Sequence, residues 1–168
     1  VPLTIPLHDV LQIIADNINA HFKERLQISE DVIVLSNIVN LDGSIAIQGQ
    51  NKICMTMINL TEDNSIRNLA RGGEQQYNFS TAVLFSAYFD GNNYSEALKF
   101  IAMVLEYWRQ NPVMRPDTHP ALPPNITSLS MSLHGDNANT EAMSGIWRSL
   151  GAKLMPALLY RVQCTVLQ

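Results

Sequence analysis

Apolar residues step by three and four behind Pro6: Leu7, Val10, Leu11, Ile14, Ile18 and Phe22. That spacing predicts a first helix with one apolar face, and Asp9, Asp16, Asn17, Lys23 and Glu24 fall off it. Residues 32–35 then read as a short buried strand. Asp42-Gly43 and Gly49-Gln50-Asn51 are turn signals, so 44–48 and 52–60 are predicted to be the two arms of a hairpin. The stretch 61–76 is polar, lacks a sustained period and is longer than an ordinary loop, which predicts an arm that orders against a partner.

The strand at 77–90 is the most apolar in the chain. Tyr77, Phe79, Val83, Phe85, Ala87 and Phe89 share one face, with Ala82, Leu84 and Tyr88 on the other, as expected of a central strand. Asp90-Gly91-Asn92 turns the chain into its longest helix, about 93–110, ended by Pro112. Tyr94, Ala97, Leu98, Ile101, Leu105 and Trp108 form one stripe, and Phe100, Met103, Val104 and Tyr107 form a second. A helix apolar nearly all round needs cover on more than one side, and in a domain this small another subunit is the expected source.

Residues 112–124 hold five prolines and read as an irregular, stiff connection. Clean alternation over 126–134 predicts a half-exposed strand, with Leu129, Met131 and Leu133 inward and Ser128, Ser130 and Ser132 in water. Asn139 caps a short helix with Met143, Ile146, Trp147 and Leu150 inward, and Gly151 ends it. A final alternating strand covers 157–167. The order α-β-β-β-β-α-β-α-β has no repeat or break. It predicts one α/β (α+β) domain over 1–168, a mixed sheet of about five strands packed with three helices.

Charged residues are only 15% of the chain and hydrophobic ones 46%, against a usual charged share of about 25%. Disorder is excluded by that balance, and so sparse a charge predicts an exterior partly covered by other chains. A net charge of −4 argues against a phosphate-binding face, hence against nucleic acid. No apolar run is long enough to cross a bilayer, and VPLTIPLHDV lacks a basic leader, so no secretory signal and a chain made in the cytoplasm are expected. Cys54 and Cys164 lie in strand patterns and read as reduced, packed thiols. Chance explains the four Asn-x-Ser/Thr sequons in a sequence rich in those residues.

The four histidines, His8, His21, His119 and His134, pair with no second His or Cys at ligand spacing, so no metal is expected. No nucleophile elbow or phosphate-cradling glycine run is present, which leaves no catalytic residue and no cofactor in the reading. Glu96 with Lys99, and Glu106 with Arg109, are spaced as solvated helix pairs.

Three stretches carry a family resemblance: TAVLFSAYFD over 81–90, YSEALKFIAMVLEYWRQNPVM over 94–114 and WRSLGAKLMPALLYRV over 147–162. In this order they resemble the tail-terminator (cap) proteins of extracellular contractile injection systems, of the antifeeding-prophage and virulence-cassette kind. The resemblance implies a phage tail terminator-like fold and a homohexameric ring that ends the inner tube and the sheath at the baseplate-distal end. It also implies a non-enzymatic protein whose partners are itself, tube and sheath, in a particle assembled in the bacterial cytoplasm and released. Polarity and position pick Arg67, Arg71, Trp108, Arg109 and Met114 as interface residues. The rival readings are a tube or sheath adaptor of the same particle and, behind it, an oligomeric small-molecule enzyme.

Overall fold

A computed structural model describes residues 2–63 and 74–168. The helices are α1 (Leu7–Leu26), α2 (Tyr94–Gln110) and α3 (Thr140–Leu150). The strands are β1 (Ile33–Leu35), β2 (Lys52–Glu62), β3 (Gln76–Tyr88), β4 (Val113–Met114), β5 (Ile126–Leu133) and β6 (Ala157–Leu167). Among the described residues they form one six-stranded sheet in the order β1-β2-β3-β6-β5-β4. Only β1 and β2 run parallel; the other neighbours are antiparallel. The fold is therefore α+β with a mixed sheet and three helices, as the pattern suggested.

The central strand is β3, flanked by β2 and β6, and its two faces feed two cores. Phe79, Val83, Phe85 and Ala87 pack under α1 and α2 with Ile14, Ile18, Phe22, Val104 and Trp108. On the reverse face Ala82 and Leu84 join Cys54, Leu159, Ile38, Ile47 and Trp147 of α3. Both faces of β3 are covered, which is why its sequence is apolar at odd and even positions alike.

Two predicted features are corrected. Residues 44–48 form no strand; a single bridge joins Val39 and Ile45, and β2 instead takes β1 as its partner, Ile33 opposite Ile53. The Asp42 carboxylate accepts from the Ser44 amide at 2.9 Å and hydroxyl at 2.6 Å, and the Asn40 amide donates to the Ser44 carbonyl at 2.8 Å. This closes the segment on itself. Gly49 and Asn51 follow at φ 87° and 59°, left-handed conformations that break the extended path before β2. In the proline-rich stretch, Val113–Met114 adds a two-residue edge strand to β5, and the Met131 amide donates to the Pro112 carbonyl at 2.7 Å.

The caps follow the sequence closely. Asn139 accepts from the Ala142 amide at 3.1 Å to start α3, and Gly151 ends it at φ 69°. Asn19 carries a tie the sequence did not announce. Its buried amide donates to the Ile33 carbonyl at 2.9 Å and accepts from the amides of Val32 and Ile33 at 2.9 and 2.8 Å. One side chain thus fixes α1 against the short edge strand β1.

Candidate interface surfaces

The predicted contact residues part company in the fold. Trp108 and Met114 are each 1% exposed, so neither offers a surface to a partner. Trp108 packs tilted against Phe85 and edge-on to Tyr107 with ring centroids 6.4 and 4.7 Å away, and Met114 Sδ accepts from Asn17 at 3.4 Å. Their size and apolarity, read as anchors for another chain, anchor α2 and β4 to their own sheet. Arg109 stands exposed near the end of α2. Glu106 turns away from it, to Arg25 of α1 at 2.8 Å, while Glu96 and Lys99 do pair at 2.8 Å. Arg67 and Arg71 lie outside the described residues, as does most of the predicted 61–76 arm.

Exposed apolar surface collects on one flank of α2. Phe100 and Tyr107, on the flank turned to α1, meet Phe22 and His21 at centroid distances of 5.8 and 4.9 Å. Tyr94, Leu98 and Leu105 are 60%, 48% and 36% exposed, with Ile101 half-buried between them. Positions 94, 98, 101 and 105 alternate steps of four and three, the spacing of a helix-packing seam. Within the chain Tyr94, Leu98 and Leu105 are left uncovered, while Ile101 packs against the core and Ala97 and Trp108 of the same stripe are buried.

A second surface is the edge of the sheet beyond β1. Strand β1 pairs with β2 only at 53–55, so β2 has no strand beside it from 57 to 62 among the described residues. Met57 and Leu60 on this stretch are 41% and 40% exposed. Sequence reading missed the edge because it assigned β2's partner to 44–48.

The ionisable groups of the described residues do not gather into a chemical site. Among the described residues no three His, Cys, Asp or Glu side chains cluster as metal ligands. Both cysteines are buried and free; burial raises the Cys54 thiol and pushes Cys164 up to about 11, which keeps them protonated and unreactive. No helix among the described residues is long and apolar enough to cross a membrane.

Two solved structures share this architecture. One is the sheath/tube terminator of an extracellular contractile injection system, PVC, in its extended state: TM-score 0.62, 16% identity, covering 99% of this chain and 58% of that one. The other is the anti-feeding prophage cap, a tube-terminating cap: TM-score 0.53, 15% identity, covering 91% of this chain and 54% of that one. The chain therefore spans little more than half the length of either. No curated protein sequence matches it. The model of the Pvc16 N-terminal domain matches residues 9–168, and the chain belongs to that family.

Proposed function

We propose that this chain is the structural cap of a contractile injection particle, ending the growth of inner tube and sheath at the baseplate-distal end. The observation that carries the reading is a fold common to two such terminators over 99% and 91% of the chain. A bare seam on α2, low charge and buried thiols fit a subunit that works by the surfaces it presents. On this reading the chain is not an enzyme and needs no cofactor. Its partners are copies of itself in a six-membered ring, the last tube ring and the last sheath ring, and it joins the particle in the cytoplasm before release. Closure of the ring is what stops growth, because head-to-tail contacts that do not close make filaments.

The test is the length distribution of particles, by electron microscopy, from cells with and without the gene for this chain. Loss of a defined length, or sheaths slipping from their tubes, is the expected result. Particles of normal length and intact sheath in its absence would overturn the reading. Indefinite filaments of the purified chain would move it to the tube or sheath-adaptor class.

A further inference from the structure

We propose that the exposed flank of α2 pairs two copies of this chain, helix against antiparallel helix, in a two-fold dimer of the free protein. The proposal does not rest on the capping role. Ser95, Leu98, Ala102, Leu105 and Arg109 are all exposed and follow one another at steps of three, four, three and four. That is the inner row of a heptad, with a small residue between two leucines, and such a row is covered by another helix. It is turned away from Ala97, Val104 and Trp108, the residues by which α2 is buried against its own sheet. The span between Asp63 and Glu74 is too short to cover it. Folded back on itself it extends at most about 17 Å, whereas Phe85, the β3 residue beside Trp108, lies roughly 30 Å along the strand from Gln76.

The row matches its own reverse. With the two-fold axis between Met103 and Val104, each Leu105 falls opposite Ala102 of the second copy, and each Leu98 opposite the methylene stem of Arg109. A large side chain thus meets a small or pliant one at every level. The same register brings Lys99 alongside Glu106 of the second copy, twice, on the outer rim. Moving the axis to Phe100 would instead set the two Lys99 side chains against each other, so charge selects the register. Within the chain Lys99 holds Glu96 and Glu106 holds Arg25, each at 2.8 Å, and the second copy joins these exposed pairs into one network.

A second copy has α2 to give in return and no other helix. Among the described helices α2 alone shows an exposed apolar row; the exposed positions of α1 and α3 are mostly polar, as at Asp9, Asp16, Glu24, Glu141, Ser144 and Arg148. A two-fold pair closes at two copies and cannot repeat around a ring. It is therefore the form of the chain off the particle, and any ring contact through α2 has to replace it.

The test is sedimentation of the purified chain from about 1 μM to about 1 mM at low salt, with Lys99→Glu, Glu106→Lys and the double exchange. Positions 99 and 106 lie about 10 Å apart along the helix, too far to pair within one chain. The expected result is a monomer–dimer equilibrium with nothing larger, weakened about fivefold or more by either single change and returned close to the parent by the double one. Thermal midpoints near the parent's at the lowest concentration show each variant folded. A monomer at every concentration would overturn the proposal and leave the seam to another protein. Species larger than a dimer would overturn it in favour of a head-to-tail contact. A dimer indifferent to the single changes, or not restored by the double one, would put the interface elsewhere and overturn it too.

Discussion

At the scale of single residues, Trp108 separates a packing role from a contact role. Its ring is fully buried, but its indole Nε1 has no hydrogen-bond partner, so the nitrogen contributes nothing that a phenyl ring would lose. Trp108→Phe removes an unpartnered N–H along with part of the ring volume and should cost clearly less than Trp108→Ala, which should cost about 3–5 kcal/mol through the larger cavity it opens. A large loss of assembly in a stably folded Trp108→Phe chain would return the residue to an interface. The buried acids set the alkaline limit. Burial pushes Cys164 from 9.0 up to about 11 and Tyr160 from 10.0 up to about 12. As pH rises past the lower values the unfolded chain loses these protons first and binds fewer than the fold, so stability falls with rising pH. Urea midpoints should decline from about pH 9 through about 11 to 12. Cys164→Ala should lessen the first part of that decline, which the raised Cys54 thiol shares.

Among the elements, α1 and α2 show why some of the fold was legible in the sequence and some was not. The helices, the central strand and the alternating strands β5 and β6 declare themselves because burial imposes a period on their side chains. The pairing of β1 with β2 does not, since it rests on Asn19, one polar residue whose three bonds join segments 13 and 14 residues apart. Asn19→Ala leaves the amides of Val32 and Ile33 without their acceptor and should cost about 1–3 kcal/mol. Faster exchange at β1 than at β3 would locate the damage; an unchanged β1 would place its stability elsewhere. For α2 the sequence did announce two apolar stripes and a need for outside cover, but Trp108, on the stripe of Tyr94, Leu98 and Leu105, faces inward. Helix periodicity gives the angle of a residue around the axis without saying which sector the chain itself buries. Leu98 and Leu105 are the bare positions, 48% and 36% exposed, so Leu98→Glu with Leu105→Glu should leave the thermal midpoint of the isolated chain nearly unchanged and abolish its assembly. Retained assembly by sedimentation would mean the seam is not an interface.

For the whole molecule, capping requires that growth stop in every direction at once, and the two bare surfaces differ in what they can do toward that end. A seam on α2 offers non-directional apolar area, which holds neighbours wherever a complementary face is presented. The β2 edge presents main-chain groups over 57–62, and at the far side of the sheet β4 pairs with β5 only at Leu129 and Ser130, so both edges have stretches with no neighbouring strand among the described residues. If the α2 seam joins copies head to tail, on the proposed reading, the rotation between them must return to the start, and the product has a fixed number of subunits. Native mass spectrometry of the purified chain over a wide concentration range should then show one oligomer whose mass stays constant while its fraction rises. A ladder of masses that lengthens with concentration would mean contacts that do not close, and a subunit built to extend a tail instead of ending it.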